Sequence, residues 1–264
     1  MLYESGPMRW LARGENDMSP DLQWLAAVER SRLSTFRFTK RRTEYLLRRW
    51  TAKHAVAATL ALPTDSRSLA SIEVLNRWTG APHVQIKGEP LGLDVSLTDR
   101  AGWAVCVVDD RPGSGHGGGA MGGTVGIDLE LVEPRSDAFI TDFLTLPEQA
   151  YVAAQGRGDA RHATANLLWS AKESALKVMQ TGLRVDTRTV EVTIHEAPGT
   201  EGWTPLTVTA VDGRIFPGWW RRNGVFLLTI AFAEPAPPPS ILPASADLTT
   251  AQPLHSWVTD PRVF

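Results

Sequence analysis

Two short segments of this chain carry residues that could support phosphoryl-transfer chemistry. In the first, Val125–Glu130, apolar residues alternate with Gly126, Asp128 and Glu130, which is the period of a strand with one apolar and one polar face. Asp128 and Glu130 therefore point the same way, roughly 7 Å apart along the strand, and Gly126 is expected to leave space for a ligand on that face. Such a carboxylate pair can share one hard cation.

The second segment predicts a helix from about residue 160 to 181, ended by Gly182, because apolar residues recur at steps of three and four. Trp169, Glu173 and Lys177 form one stripe on this helix. The Glu173 carboxylate and the Lys177 ammonium could therefore act on the same ligand as the two strand carboxylates.

This set of oxygen ligands suits Mg²⁺, which prefers carboxylates, water and substrate phosphates. Zinc is disfavoured because the six histidines are scattered and none pairs with the single Cys106 at ligand spacing. Taken singly, Glu173–Lys177 is an ordinary i,i+4 ion pair and the strand an ordinary polar face. Together they predict a Mg²⁺ site formed by Asp128, Glu130 and Glu173.

These motifs resemble those of the 4′-phosphopantetheinyl transferases of the long, monomeric surfactin-synthetase-activator type. The glycine-hydrophobic-Asp-x-Glu strand is complete in Gly126–Glu130, and the Trp-x-x-Lys-Glu-x-x-x-Lys helix is complete in Trp169–Lys177. The resemblance implies an α+β fold of two similar helix-plus-sheet halves, related by a pseudo-twofold with the active site between them.

The resemblance also implies the reaction. A serine hydroxyl of an apo acyl or peptidyl carrier protein would attack the β-phosphate of coenzyme A, accept 4′-phosphopantetheine and release 3′,5′-ADP. Glu173 would act as the base, while Lys177 and, by the same reasoning, Lys172 would stabilise phosphate charge. Coenzyme A is then a co-substrate and Mg²⁺ the cofactor.

Upstream residues resemble the family's coenzyme A site. The basic segment 38–53 resembles the helix that holds coenzyme A, which implies roles for Arg42, Arg49 and Lys53. Gly80-Ala81-Pro82 resembles the family's glycine-x-proline segment near the adenine, and so implicates Ala81 and Pro82. Asp99 stands where the family has a histidine beside the 3′-phosphate, so we expect Arg100 to make that contact instead.

The chain divides into four predicted parts: an N-terminal half (1–110), a glycine-rich linker (111–124), a C-terminal half (125–233) and a proline-rich tail (234–264). The linker contains Gly113-x-Gly115-x-x-Gly118, but a strand rather than a helix follows, which argues against a dinucleotide site. The tail is expected to be disordered and dispensable. Docking through Leu254, Trp257 and Phe264 is the alternative.

Predicted helices and strands alternate in both halves. Helices are expected at 20–33, 39–62, 147–154 and 160–181, and strands at 72–76, 83–87, 93–98, 103–108, 124–130, 189–195, 206–211 and 225–231.

Composition excludes several classes of function. A net charge of −2 over 264 residues argues against a nucleic-acid-binding surface. A single cysteine indicates a reducing compartment, and no apolar run reaches membrane-spanning length, so a soluble, cytoplasmic monomer without membrane contact is expected.

Two alternatives remain open. One is a non-catalytic coenzyme A or carrier-protein binding module on the same fold, suggested by Asp99. The other is an interaction protein that uses the patch Trp219–Arg222, which the flanking Pro-Gly and Asn-Gly pairs predict to be a hairpin loop. The carrier also stays open, because Arg184, Arg188, Arg221 and Arg222 could meet any acidic carrier surface.

Overall fold

The computed structural model describes residues 8–111, 123–196 and 201–255. Most of the predicted linker, residues 112–122, lies outside the described residues, as do Trp257 and Phe264 of the tail. No helix in the described ranges combines the length and apolar character needed to cross a membrane.

The N-terminal half contains six strands and three helices. In chain order they are β1 (Arg9–Gly14), α1 (Ala27–Ser34), α2 (Thr39–Thr59), α3 (Ser66–Ser71), β2 (Ile72–Asn76), β3 (Pro82–Ile86), β4 (Glu89–Pro90), β5 (Asp94–Arg100) and β6 (Trp103–Asp109).

The C-terminal half repeats this alternation and ends in a short strand of the tail. Its elements are β7 (Val125–Leu131), α4 (Asp137–Phe143), α5 (Leu146–Ala153), α6 (Asp159–Val178), β8 (Val190–Ile194), β9 (Thr204–Ala210), β10 (Ile215–Asn223), β11 (Phe226–Phe232) and β12 (Ser240–Ile241).

Each half builds a sheet against one long helix, which confirms the predicted α+β class. The first half has a sheet of order β1-β6-β5, which the tail strand β12 extends beside β1, and a smaller one of order β2-β3-β4; the second half has one sheet of order β7-β11-β10-β9-β8. One apolar core surrounds α2, with Ala52 and Val56 fully buried, and another surrounds α6, with Ala171 and Ala175 fully buried. These cores hold the two long helices on their sheets.

A third apolar core joins the halves. It combines Trp10 and Val105 of the first half with Ile127 and Phe226 of the second, and it includes Leu248 of the tail. The two halves therefore share buried surface and fold as one body around it.

The same buried ion pair occurs once in each half. Lys53 Nζ lies 2.7 Å from Glu29 Oε2, and Lys172 Nζ lies 2.7 Å from Glu148 Oε2. Each glutamate also accepts a backbone N–H at the start of its own helix and another from the following strand, at Val74 or at Val192. Each lysine donates to two backbone carbonyls, so the charges are fully hydrogen-bonded.

The tail is packed on the body over the residues that the structure describes. β12 runs parallel to β1, Leu242 and Leu248 are 5% and 2% exposed, and the indole N–H of Trp103 donates to the carbonyl of Gln252 at 2.7 Å. The expectation of a disordered tail is wrong for residues 234–255, because Leu242 packs into the core around α2 and Leu248 into the core between the halves.

Two other expectations differ from the structure. Helix α1 begins at Ala27 instead of residue 20. The patch Trp219–Arg222 is not a hairpin loop, since it lies within β10 and pairs with β11 on one side and, through Trp219 and Trp220, with β9 on the other. Strands β1, β4, β10 and β12 and helices α3 and α4 have no counterpart in the predicted set.

Candidate active site

Strand β7 and helix α6 bring Asp128 and Lys177 together, as the motif spacing predicts. Lys177 Nζ donates to Asp128 Oδ1 at 2.8 Å and to the carbonyl of Ile127 at 2.7 Å. Asp128 also accepts hydroxyl hydrogen bonds from Thr98 at 3.1 Å and from Ser170 at 2.9 Å. The aspartate is therefore held rigidly, with its charge balanced by the lysine.

Glu173 lies on the same helix, close to Asp128, and has an oxygen without a partner. Its buried Oε1 forms no hydrogen bond. The pKa of Glu173 is raised to about 7, mainly because the carboxyl is buried; the negative charge of Asp128 also raises it, Lys177 lowers it, and Glu130 makes a smaller upward contribution. A buried, unpaired carboxylate oxygen beside a second carboxylate is a suitable donor for a divalent cation.

Gly126 has a different role from the one expected. A Cβ at this position would collide with the backbone carbonyl oxygen of Ser174 and would press on Lys177 Cβ. The glycine therefore lets α6 approach β7 closely, and it does not leave space for a ligand. That close approach places Lys177 and Glu173 against the strand.

Glu130, the third carboxylate of the motif, is occupied by other side chains. Its Oε2 lies 3.0 Å from Arg100 Nε and 3.1 Å from an Nη of Arg135, and its Oε1 accepts the indole N–H of Trp169 at 3.1 Å. Burial, and next the charge of Asp128, raise the pKa of Glu130. Within the described residues, no three His, Cys, Asp or Glu side chains gather into a metal site, so the predicted three-carboxylate set is not preformed.

Strands β5 and β7 are edge strands of the two sheets and face each other. The even-numbered side chains of β5 accept hydrogen bonds from the backbone of β7 and of the residue before it. Asp94 accepts the backbone N–H of Thr124 at 2.7 Å, and the hydroxyls of Ser96 and Thr98 accept the N–H groups of Ile127 and Leu129, each at 3.1 Å. Side-chain oxygens thus satisfy the backbone donors of β7 where no neighbouring strand does.

Asp99 and Arg100 diverge from each other on β5. Asp99 faces α2 and forms an ion pair with Arg48. Arg100 faces the carboxylates and forms ion pairs with Glu130 and Glu133. The contact of Arg100 with a 3′-phosphate stays a prediction, and the two carboxylates fix the guanidinium through its Nε and Nη2.

A cavity of about 260 Å³ opens between the halves beside this cluster. The predicted residues Ala81 and Pro82 line it, together with Ser96, Lys177 and Gln180. The structure therefore brings the glycine-x-proline segment of the first half next to the catalytic lysine candidate of the second.

The predicted basic residues of α2 do not line this cavity. Lys53 is fully buried on Glu29, Arg49 contacts Asn76 and lies 4.7 Å over the ring of Tyr45, and Arg42 donates to the carbonyl of Leu33. Lys53 is thus part of the core, and no role in binding coenzyme A is proposed for it.

Lys172 is also absent from the site. Its side chain is fully buried and donates to the carbonyls of Thr187 and Val190 besides pairing with Glu148. Burial lowers its pKa, and the charge of Glu148 opposes this shift. The expectation that Lys172 contacts a phosphate finds no support in this placement.

Sequence reasoning missed several residues of the site, namely Thr98, Glu133, Arg135, Asn166 and Ser170. Thr98 and Ser170 are short hydroxyl residues inside segments already assigned to a strand and a helix, and only the packing of β5 and α6 on β7 aims them at Asp128. Trp169 packs against Phe139 and Phe143, and its indole N–H donates to Glu130.

Residues 124–203 match the model of the 4′-phosphopantetheinyl transferase superfamily. The matched segment contains Asp128, Glu130, Trp169, Glu173 and Lys177. A search of curated protein sequences gave no match.

Among solved structures, the chain is similar to two holo-acyl-carrier-protein synthases. The one from Bacillus anthracis, in complex with CoA (3′,5′-ADP), is 21% identical with a TM-score of 0.33, over 39% of this chain and 92% of that one. The one from Helicobacter pylori, in complex with coenzyme A, is 13% identical with a TM-score of 0.31, over 38% of this chain and 96% of that one.

Proposed function

We propose that this protein transfers 4′-phosphopantetheine from coenzyme A to a serine of an apo acyl or peptidyl carrier protein and releases 3′,5′-ADP. The observation that carries the proposal is that Asp128, Glu173 and Lys177 converge beside the cavity between the halves, within the segment that matches the transferase superfamily. Because one chain supplies both halves of the site, we propose that it acts as a monomer.

The cavity gives coenzyme A a place to bind. Residues 79–82 would contact the nucleotide end, and Lys177, on the opposite wall, would contact the phosphates as a compact cation. This orientation brings the diphosphate next to Asp128 and Glu173.

Asp128 and Glu173 are the residues best suited to hold Mg²⁺. Glu173 has an unpartnered oxygen, and Asp128 lies close enough to raise its pKa. When bound, the ion supplies neutralisation of the charge that builds on the diphosphate during transfer.

Glu173 is also suited to accept the proton of the attacking hydroxyl, directly or through a water. A pKa of about 7 lets the carboxylate take a proton near neutral pH. A bond then forms between the serine oxygen and the β-phosphorus, the bond from that phosphorus to the bridging oxygen breaks, and 3′,5′-ADP leaves. Lys177 stabilises the phosphate oxygens, since Asp128 and the carbonyl of Ile127 fix its position.

The test is to incubate the protein with coenzyme A, Mg²⁺ and a panel of apo acyl and peptidyl carrier proteins, and to measure the mass gain of the carrier. Glu173→Gln should lower turnover by about two orders of magnitude or more, the usual effect of removing a general base. Glu196→Gln, which changes an exposed glutamate of the same half, is the matched control.

Near-normal turnover in Glu173→Gln would refute the assigned role of Glu173. Failure of the wild-type protein to modify any carrier, while it still binds coenzyme A, would favour the non-catalytic binding module.

A further inference from the structure

Glu130 belongs to the predicted metal-binding motif, yet it accepts hydrogen bonds from Arg135 and Trp169 and forms an ion pair with Arg100. Two guanidinium groups converge on its Oε2, and the Trp169 indole occupies its Oε1. The residue is 8% exposed, so water offers little alternative solvation. Any cation that took Glu130 as a ligand would have to displace at least one of these three side chains.

The two arginines are held in place from several sides. Arg100 also forms an ion pair with Glu133, while Arg135 donates from Nε to Asn166 Oδ1 at 2.6 Å and lies 4.5 Å over the ring of Phe139. Within the described part of the chain, the hydrogen bonds of these two arginines use Nη2 of Arg100 and Nε and Nη2 of Arg135, which leaves Nη1 of each available to a ligand. Both side chains stay partly exposed, at 22% and 17%.

The carboxylates around β7 do not share their cationic partners equally. Lys177 balances Asp128, and Arg100 and Arg135 balance Glu130 and Glu133. Glu173 is left as the surplus carboxylate. The cation-binding capacity therefore lies at Asp128 and Glu173, and the Glu130 end presents guanidinium groups with free donors.

We propose that Glu130 is not a ligand of the divalent cation but a positioning residue, which holds Arg100 and Arg135 so that their free Nη1 groups bind phosphate oxygens of the substrate diphosphate. Guanidinium groups match phosphate geometry and keep their charge at any working pH. The identity of the anion rests on the proposed function, whereas the division of labour between the carboxylates does not.

The first test counts the water molecules on protein-bound Mn²⁺ by relaxivity or electron–nuclear double resonance, with the metal alone as probe. Loss of a carboxylate ligand frees a coordination position for water, so Asp128→Asn and Glu173→Gln should each raise the count by about one. Glu130→Gln should leave it unchanged, as should the matched control Glu133→Gln. A rise of one water in Glu130→Gln, or no Mn²⁺ binding by the wild type at millimolar concentration, would overturn the proposal.

The second test measures the binding of inorganic pyrophosphate in the presence of Mg²⁺ by calorimetry. Arg100→Gln and Arg135→Gln should each weaken binding about tenfold or more, as expected for a charge-assisted hydrogen bond. Arg48→Gln, which removes an arginine paired with Asp99 on the opposite face of β5, should leave binding unchanged. Wild-type affinity in both Arg100→Gln and Arg135→Gln would overturn the proposal.

The combined result for Glu130→Gln is the signature of a positioning residue, because pyrophosphate binding should weaken while the Mn²⁺ water count stays constant. If this variant does not fold, the two arginine variants still decide whether the anion subsite exists. Neither measurement depends on carrier modification, so the proposal and the transferase activity can fail separately.

Discussion

In the absence of metal, the buried Glu173 carboxylate should destabilise the folded protein at neutral and alkaline pH. Glu173→Gln should restore the lost stability. Its pKa rises from the ordinary value of 4.5 to about 7 on folding, mainly because the carboxyl is buried. The folded protein thus favours the protonated form. Glu173 therefore does not lower the free energy of unfolding below pH 4.5, where it is protonated in both states. Through this residue, the free energy of unfolding falls as the pH rises from 4.5 to 7 and is constant above that range.

The size of the effect follows from the shift. Each pKa unit corresponds to 1.36 kcal/mol, so the ionised Glu173 should cost about 3 kcal/mol at pH 8 and about 1 kcal/mol at pH 5. Glutamine has nearly the same shape and cannot ionise. Glu173→Gln should therefore be the more stable protein, by a margin that grows by about 2 kcal/mol between these two pH values.

The assay is urea unfolding at pH 5 and pH 8 with a chelator present, for the wild type, Glu173→Gln and the exposed control Glu196→Gln. Added Mg²⁺ should stabilise the wild type at pH 8 and have a smaller effect on Glu173→Gln, since a ligand of the folded state adds to its stability. The reasoning is refuted if Glu173→Gln gains no stability over the wild type between pH 5 and pH 8.

Two further predictions concern stability. Lys172→Met should destabilise the protein by about 3–5 kcal/mol in urea unfolding, because it leaves Glu148 buried without its partner. Lys53→Met should have a similar effect through Glu29. A change below about 1 kcal/mol in both variants would contradict the structural role of these lysines. Leu248→Ala in the tail should cost about 2–5 kcal/mol, whereas Ile241→Ala, which is 54% exposed, should be nearly neutral; equal melting temperatures for the two would show that the tail does not pack on the core.

Much of the site could be predicted because it depends on local periodicity. The alternation in β7 and the spacing on α6 placed Asp128, Glu173 and Lys177 correctly on their elements, and the structure brings them together. The partners of Glu130 could not be predicted in this way. Arg100 reaches it from β5 through the packing of the two halves, and Arg135 reaches it from the loop after β7, where neither the strand period nor the helix period applies.

Local turn signals misled the prediction of β10. Pro217 and Gly218 suggested a turn, but β10 pairs on both sides, and a Cβ at Gly218 would collide with the carbonyl oxygen of Ile230. The glycine is thus required by close approach inside the sheet. The tail was misjudged for a related reason, because its prolines indicated disorder while Leu242 and Leu248 had a core to enter.

The role of Lys172 can be decided from within the chain, because the first half contains its counterpart. Trp50-Thr-Ala-Lys53 in α2 repeats Trp169-Ser-Ala-Lys172 in α6, and each lysine follows its glutamate partner at the same separation in sequence. The two lysines also share their contacts, a buried glutamate and two backbone carbonyls.

The next residue differs between the halves: His54 follows Lys53, whereas Glu173 follows Lys172. His54 interacts with the carbonyl of its own helix residue Trp50, and burial lowers its pKa, so the carboxylate acceptor of the second half, Glu173, has no carboxylate counterpart at this position of the first half. A lysine retained with identical contacts where that acceptor is missing cannot owe those contacts to catalysis. Lys172 is therefore part of the repeated folding unit, and the chemistry of this motif begins at Glu173.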